Sequence, residues 1–527
     1  MPETTANTTS IQDWCPDCNP WLIALAVILP TFMEVLDTAI AAVILPYIAG
    51  SLSATTDEAT WVLTSYLVAN AVVLPASSWF ALRYGRRNFL LICIGIFTFA
   101  SFTCGAAQSL GMILLSRAVQ GAGGGALQPL SQSILLESFP PEKRGAAMAL
   151  FALGVVVAPV LGPTLGGWLT EQYSWRWAFY INIPIGAIAV FLIMRFVKDP
   201  PYIQSAKPGK IDAIGLGLLA IWIGTLQVIL DKGQEDDWFG AVWIRWALAI
   251  LLIAFVAFLI RELRIKYPIV NLKIFTDRNF TMGCILIGAV GAVLYAMITL
   301  LPLFYQTLMN YTAWAAGLAV SPRGIGAILI MPIVGALTAK VDNRYLIGSG
   351  FVVFGWSAWW MSNLTLDVSQ WSLLWPIIIS GVGTGLMFVP LATTTVGTLR
   401  NEQIGNASGL FNLLRNIGGS VGISVAETLV ARRQQVHRSE LARYLAPTSF
   451  VHQVLFRIQT YMSLHTGPRL AKLRAYGILQ GALDQQSVLY SYVDDFRYMV
   501  LISALCLPLV FLFRPVKAKR GAPPSAD

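Results

Sequence analysis

Two acidic side chains lie inside an apolar stretch near the start of the chain. Glu34 and Asp37 are three positions apart within residues 22–45, so a helix would place both carboxylates on one face. Two carboxylates that share a medium of low dielectric constant are costly to ionise together, so one of them can exchange a proton near neutral pH. We therefore predict proton coupling at Asp37, shared with Glu34. A structural ion pair between Asp37 and an arginine is the alternative.

A polar stripe lies within another apolar stretch, residues 112–138. Its members recur at steps of three and four and therefore share one helix face. They are Arg117, Gln120, Gly124, Gln128 and Ser131. We predict that Arg117 is the counter-ion of Asp37, and that protonation of the carboxylate frees the arginine and alters the hydrogen-bond network. A purely structural arginine is the alternative.

Polar and aromatic side chains from several apolar stretches are candidates to line a substrate cavity. Polar groups fix the orientation of a ligand, and aromatic rings offer flat apolar walls to lipophilic molecules. The predicted substrate-binding residues are Tyr66, Gln120, Gln128, Tyr295, Phe304, Asn412 and Arg415. Core packing is the alternative for the aromatic residues, and coupling or packing is the alternative for Asn412 and Arg415.

The composition indicates a polytopic membrane protein. Of the 527 residues, 56% are hydrophobic and 12% are charged, which is too apolar for a soluble chain of this length. Crossing ~30 Å of hydrocarbon takes about 20 apolar residues, and about fourteen stretches are long enough. Their approximate cores are 22–45, 59–81, 89–107, 112–138, 145–169, 178–197, 211–230, 242–261, 280–304, 314–338, 345–363, 372–398, 406–430 and 497–514. They predict an all-α fold with fourteen transmembrane helices.

Lysine and arginine are concentrated in alternate loops. The basic loops carry Arg83, Arg86, Arg87, Lys143, Arg144, Lys198, Lys207, Lys210, Arg264, Lys266, Lys273, Arg278, Lys340, Arg344 and Arg400, and the opposite short loops hold little beyond Arg176 and Lys232. The positive-inside rule places the basic loops and both termini in the cytoplasm. This bias and a basic outer segment explain most of the net charge of +9, so we predict no nucleic-acid partner. Arg323 and Glu427 lie near span ends or at uncertain depth, and we expect their charged groups to reach the membrane surface.

The segment between the last two predicted spans, residues 431–496, contains all three histidines of the chain. Its helical alternation of apolar and polar residues predicts one or two amphipathic helices outside the membrane. They either cap the outer mouth of the membrane domain or dock a periplasmic partner. We expect no metal at His437, His452 or His465, nor at the lone Cys15 and Cys18 pair, because ligand spacings do not recur.

Glycine and proline are clustered in a predicted membrane span, residues 145–169. Both residue types weaken an isolated helix, so their clustering at bilayer depth implies close packing against a neighbouring helix. We predict a conformational seam at Gly154, Pro159, Gly162, Pro163, Gly166 and Gly167.

The two halves of the chain repeat at an offset of about 260 positions. The offset aligns Gly145 with Gly405 and Phe151 with Phe411. Parallel repeats of this kind are the layout of major facilitator transporters, whose substrate site lies at the midplane between the halves. The predicted segments are a cytoplasmic start (1–21), a six-helix bundle (22–197), a linker with two inserted transmembrane helices (198–279), a second six-helix bundle (280–514) and a cytoplasmic tail (515–527).

Several motifs carry a more specific resemblance. The run from Leu36 to Pro46 resembles an L-D-x-T-I-x-x-x-x-x-P signature, and the glycine and proline cluster resembles the antiporter motif G-x-x-x-(G/A)-P-x-x-G-P-x-x-G-G. Residues 78–87 resemble G-x-L-A-D-R-x-G-R-K, with Leu82 in place of the aspartate and Ser78 in place of the first glycine. The conformational residues of that loop are Arg83, Gly85, Arg86 and Arg87. The chain is thus similar, over residues 22–514, to the EmrB/QacA family of fourteen-helix drug:proton antiporters.

This resemblance implies a proton-coupled exporter of amphipathic toxic compounds that works by alternating access. It further implies the bacterial inner membrane and, for EmrB-type members, a periplasmic membrane-fusion adaptor and an outer-membrane channel as partners. We expect a secondary transporter without cofactor rather than an enzyme, since nucleotide-binding and zinc-protease motifs are missing from the sequence. A dedicated exporter of one metabolite, siderophore or fatty acid and a non-transporting membrane receptor are the alternatives.

Overall fold

A computed structural model describes residues 18–200, 203, 212–266, 268–444, 449–464 and 467–514. Every regular element in this part of the chain is a helix, in agreement with the predicted all-α class. Cys15 and His465 lie outside the described residues. Cys18 is described, and its thiol donates to the carbonyl oxygen of Phe196 at 3.2 Å.

The first half of the chain forms eight helices whose ends follow local sequence signals. Thr55 and Glu58 form a capping box at the start of α2, and the Ser109 hydroxyl accepts from the backbone of Met112 at the start of α4. The helices are α1 (Pro20–Ser51), α2 (Thr56–Tyr84), α3 (Arg86–Gly105), α4 (Leu110–Gly124), α5 (Leu127–Ser138), α6 (Arg144–Gln172), α7 (Trp177–Tyr180) and α8 (Asn182–Phe196). The predicted fourth span is therefore two helices that meet at Gly125 and Ala126.

The ends of the inserted helices and of the helices in the second half also follow local sequence signals. Asp212 and Asp277 cap α9 and α11 with side-chain oxygens that accept from backbone amides. The helices are α9 (Ala213–Lys232), α10 (Val242–Arg264), α11 (Arg278–Leu308), α12 (Ala313–Val320), α13 (Pro322–Leu337), α14 (Asn343–Met361), α15 (Gln370–Val396), α16 (Asn401–Tyr444), α17 (Ser449–Ser463) and α18 (Pro468–Val510).

Ten segments in the described residues are long and apolar enough to cross a bilayer. The remaining four of the fourteen predicted spans lie on α4 with α5, on α14, on α16 and on α18. The pair α4 and α5 fails on length because its helix is interrupted, and α16 carries Asn412, Arg415 and Asn416 within its predicted span. The chain is multi-pass, and the count of fourteen remains a prediction.

The two halves meet along two seams. At the first, α6 packs against α12, α13 and α15 of the second half. At the second, α16 packs against α2 and α5 of the first half. The inserted helices α9 and α10 pack on each other, and α9 also contacts both α2 and α16. The insertion therefore covers the second seam rather than standing apart from the two bundles.

The glycine and proline cluster lies on α6, which remains one helix with Pro159 and Pro163 inside it. A side chain at Gly166 would lie 3.0 Å from Ile40 on α1, and one at Gly317 on α12 would lie 3.0 Å from Pro163. Both distances are shorter than ordinary contacts, so a larger residue at either position would require its neighbour to shift by a few tenths of an ångström. The predicted close packing is confirmed, with α1 on one side of α6 and the second half on the other.

The segment 431–496 is built mainly from the ends of two long helices. At 1.5 Å per residue, the 44 residues of α16 span about 66 Å and the 43 residues of α18 about 65 Å. Both exceed a bilayer of ~45 Å including its headgroups, so a part of each helix lies outside the membrane. His437 in this segment bonds to Asp494 at 2.8 Å, which joins the two long helices.

Candidate functional site

The predicted pair of Asp37 and Arg117 is the centre of a buried polar cluster. Arg117 Nη1 lies 2.6 Å from Asp37 Oδ2, and both side chains are almost fully shielded from solvent. Gln120 on α4 donates to Asp37 Oδ1 at 2.9 Å and accepts from Arg117 Nη1 at 2.7 Å. The carboxylate thus has a cation and an amide donor on the face that the polar stripe predicted.

Two further residues complete the environment of Asp37. Asn182, the first residue of α8, donates to Asp37 Oδ1 at 2.7 Å. Ser101 on α3 accepts from Gln120 at 2.8 Å and from Asn182 at 3.3 Å. Neither residue was predicted from the sequence to lie beside Asp37. Asn182 can be recognised in the sequence as a lone polar residue within an apolar stretch. Nothing in the sequence identifies its partner Asp37, 145 positions away.

The Arg117 side chain is fixed by more than its ion pair. Its Nε donates to the carbonyl oxygen of Val62 on α2 at 3.0 Å. The guanidinium carbon lies 4.2 Å from the centre of the Tyr66 ring and 5.7 Å from that of Phe179. Such cation–π contacts are strong where water is excluded. Tyr66, predicted to line a substrate cavity, is therefore in direct contact with Arg117.

Glu34 has a different environment three residues away. It accepts hydrogen bonds from the Tyr66 hydroxyl at 3.3 Å, from Asn70 at 3.0 Å and from Gln128. All three donors are neutral, and Glu34 takes part in no ion pair within the described residues. Asp37 and Glu34 thus share one face of α1, as predicted, but in the described residues only Asp37 forms a direct ion pair, whereas Arg415 acts on Glu34 from beyond Gln128.

Gln128 connects Glu34 to the second half of the chain. Its side-chain oxygen accepts from Arg415 Nη2 on α16 while its amide group donates to Glu34. Asn412, one turn before Arg415, donates to Gln132 of α5 at 2.6 Å. The polar patches that the sequence analysis treated separately therefore meet across the second seam.

Arg323 differs from its prediction. The side chain is fully buried rather than extended to the membrane surface, so that interpretation was wrong. Its Nη2 donates to Thr384 at 3.3 Å, while Nε and Nη1 have no hydrogen-bond partner within the described residues. Thr384 lies one turn from Phe388, whose ring is 5.9 Å from the guanidinium carbon of Arg415. The buried side chains of Arg323 on α13 and Arg415 on α16 therefore both approach α15.

The other predicted aromatic residues lie apart from Asp37 and Glu34. Phe304 is buried against Tyr492 of α18, with ring centres 5.4 Å apart. Tyr295 packs on α16, where a Cβ atom at Gly419 would lie 2.5 Å from the nearest atom of its ring. The structure thus brings together Tyr66, Gln120, Gln128, Asn412 and Arg415 but not Tyr295 or Phe304.

The loop between α2 and α3 contains the predicted residues Arg83, Gly85, Arg86 and Arg87. Gly85 has a φ of +85°, which glycine adopts without strain. Arg86 forms an ion pair with Glu137 of α5 at 2.5 Å, and Arg83 is exposed.

Asp199, in the connection after α8, accepts from the backbone amide of Arg87 at 2.9 Å. Burial raises the pKa of Asp199, against the opposing effect of the neighbouring arginines. Leu82 stands where the motif has an aspartate. Asp199, from a different segment, supplies a carboxylate to the same loop.

No group of three or more His, Cys, Asp or Glu residues in the described part of the chain could hold a metal ion. The site is thus a set of carboxylates, amides and guanidinium groups that can exchange protons and hydrogen bonds.

Comparisons with known proteins were made by sequence and by structure. The sequence profile described as Major Facilitator Superfamily matches residues 27–423. The chain is 38% identical over 494 residues to the fatty acid resistance protein FarB of Neisseria gonorrhoeae, covering 94% of this chain and 96% of that protein. It is 35% identical over 495 residues to the multidrug export protein EmrB of Escherichia coli strain K12, covering 94% of this chain and 95% of that protein.

A solved structure has the same fold. The human organic anion transporter MFSD10 (TETRAN) aligns with a TM-score of 0.57, covering 92% of this chain and 100% of that chain. The sequence identity is 12%, so this likeness concerns the fold alone.

Proposed function

Since the chain belongs to the major facilitator superfamily and to its EmrB-like members, and is therefore a membrane transporter and not an enzyme, we propose that it exports amphipathic toxic compounds in exchange for protons. Protons move inward down their gradient while the compounds leave by alternating access. The membrane potential contributes about 2.3 kcal/mol per charge per 100 mV.

The observation that carries this proposal is the unequal environment of two buried carboxylates on one helix. Asp37 is paired with Arg117, which stabilises its ionised form. Glu34 is bonded by Tyr66, Asn70 and Gln128, which are neutral. We assign the exchanged proton to Glu34 in this conformation and to Asp37 in a conformation that separates it from Arg117.

Coupling to substrate follows from the link between halves. Protonation of Glu34 removes the charge that holds the Gln128 amide, and Gln128 also accepts from Arg415 of the second half. A change of charge at Glu34 therefore alters a contact across the seam that must open during alternating access.

The test is transport by purified protein in liposomes with an imposed pH gradient. Wild type, Asp37→Asn and Glu34→Gln are compared for export of a lipophilic dye, with Glu142→Gln at an exposed position as a control for the same change of charge. We expect gradient-driven export in wild type and the control, and its loss in both site variants. Equal transport with and without the gradient in wild type would overturn proton coupling.

A dedicated exporter of fatty acids or other carboxylates is a second candidate, because of the buried Arg323. Its Nε and Nη1 are without partners within the described residues, and a carboxylate is the natural ligand of a guanidinium group. The relative FarB is named for fatty acid resistance. Transport of fatty acids but of no lipophilic cation would favour this candidate over a multidrug exporter.

We further propose that the protein lies in the bacterial inner membrane with both termini in the cytoplasm, as the basic loops favour. In that orientation α17 and the long ends of α16 and α18 are periplasmic. A periplasmic adaptor and an outer-membrane channel would complete the export path. Cysteine labelling at exposed Tyr444, with a membrane-impermeant reagent applied to intact spheroplasts, tests the orientation.

A further inference from the structure

A polar line follows one face of α16 from the candidate site toward the proposed outer face. Asn416, Ser420, Ser424 and Glu427 are spaced by four, four and three positions and therefore share that face. The twelve residues from Arg415 to Glu427 rise about 18 Å along the helix, which is more than half of the ~30 Å hydrocarbon core. The line is thus long enough to join the middle of the membrane to its surface.

The inserted helix α9 meets this line with polar groups of its own. Ser420 donates to Gln227 Oε1 at 2.9 Å, and Gln227 is buried. One turn further along α9, Asp231 accepts from Thr64 of α2. A helix that only filled space beside the seam would present apolar residues there, because buried polar groups are costly. The polar residues of α9 instead extend the line between α2 and α16.

Charged groups gather at the outer end of the line. Trp238, in the connection after α9, donates to Thr428 of α16 at 3.1 Å, next to Glu427. This contact brings Asp231 and Glu235 close enough to act electrostatically on Glu427. Lys232 bonds to Glu235 at 2.6 Å and to Thr60 at 2.5 Å. Three carboxylates that can take up protons are therefore gathered at the outer end of the line.

The inner end of the line reaches Glu34 through Arg415 and Gln128. Along it, Ser424 Oγ and two nitrogens of Arg415, Nε and Nη1, are buried without a hydrogen-bond partner in the described part of the chain. Buried polar atoms of this kind are normally satisfied by water. Water held by these atoms and by the Ser420 hydroxyl would connect Glu427 with Gln128.

We propose that α2, α9 and α16 enclose a hydrated proton path between the outer face and Glu34, with Glu427 and Asp231 at its mouth and Gln227 and Ser420 at its middle. The proposal rests on the proposed proton-coupled function. A proton taken up by the Glu427 carboxylate passes along water, past Arg415 and the Gln128 amide, which do not carry it, to the Glu34 carboxylate and neutralises it. Substrate leaves by a separate route. The inserted pair of helices thereby gains a role beyond packing.

The experiment compares two transport modes of the full-length protein in liposomes. Export driven by a pH gradient requires proton movement, whereas exchange of labelled for unlabelled dye at equal pH requires substrate binding and alternating access alone. The variants are Gln227→Leu and Glu427→Gln. The exposed positions Gln435 and Glu142 supply matched controls, Gln435→Leu and Glu142→Gln.

We expect each path variant to lower gradient-driven export by at least about fivefold, a typical coupling effect, while dye exchange stays at the wild-type rate. Equal loss of both modes would assign these residues to packing and overturn the path. Gradient-driven export at the wild-type rate in both variants would also overturn it, with proton coupling intact. Absence of gradient-driven export in wild type would instead reject the proposed function.

Discussion

Arg415 of the second bundle donates a hydrogen bond to Gln128 of the first, and Gln128 in turn donates to Glu34. The three side chains form a continuous link from a carboxylate on α1 to the opposite half of the molecule. Each is buried, so each bond is shielded from competition with water. A protonation event on α1 can therefore change the contact between the halves directly.

This link predicts that Gln128 and Arg415 act as one unit in transport. Gln128→Leu and Arg415→Leu should each slow gradient-driven export about tenfold, as expected for loss of a buried hydrogen bond worth about 1–3 kcal/mol. The double variant should be no slower than the slower single variant, because both changes break the same link. Arg443→Leu at an exposed position is the control. Additive losses in the double variant would show that the two residues act independently.

The close approach of α6 to α1 predicts a loss of stability on enlarging Gly162. A Cβ atom at this position would overlap the Cβ atom of Ala39, and the two backbones would have to separate. Gly162→Val should destabilise the protein by about 1–3 kcal/mol, the usual cost of overpacking. The measurement is the thermal unfolding midpoint of purified protein in detergent. Gly95→Val, where an added Cβ meets nothing within 4 Å, should leave the midpoint close to that of wild type.

The sequence supports prediction of the contacts that follow from helix periodicity. Glu34 and Asp37 share a face because of their spacing, and the stripe that contains Arg117 and Gln120 identifies the helix face that meets Asp37. Opposite charges in a medium of low dielectric constant pair with each other, so Arg117 could be predicted as the partner of Asp37. The close packing at the glycine and proline cluster could be predicted in the same way.

Contacts that depend on which helices are neighbours could not be predicted. Asn182 and Gln227 are single polar residues in apolar stretches, and their spacing does not reveal their partners. The link from Gln128 to Arg415 joins residues 287 positions apart and requires the docked arrangement of both halves. The burial of Arg323 likewise depends on α6 and α15 packing around α13, which its position in the sequence did not reveal.

Two guanidinium nitrogens of Arg323 are unpaired within the part of the chain that the structure describes, and they predict a charge-dependent substrate effect. Arg323→Gln keeps a polar side chain but removes the positive charge that a carboxylate substrate would bind. Its apparent affinity for a fatty acid should fall about 10- to 100-fold, the effect of losing a charge-assisted hydrogen bond of about 1.5–3 kcal/mol. Export of a lipophilic cation should be unchanged. Equal losses for both substrates would indicate a structural role, and Arg432→Gln at an exposed position is the control.

The raised pKa of Asp199 predicts how the stability of the loop between α2 and α3 depends on pH. Burial favours the protonated carboxyl, so the folded protein binds this proton more tightly than the unfolded chain. The resulting stabilisation is complete below the pKa of the unfolded chain and is lost as the pH rises through the pKa of the folded state. Asp199→Asn keeps an oxygen that can accept from the Arg87 amide but cannot titrate. As the pH rises above about 4, the ordinary pKa of an aspartate, the unfolding midpoint of wild type should therefore fall relative to that of Asp199→Asn, measured in detergent. A constant difference between the two proteins over this range would mean that the protonation of Asp199 does not change on unfolding, and that its contribution is the hydrogen bond alone.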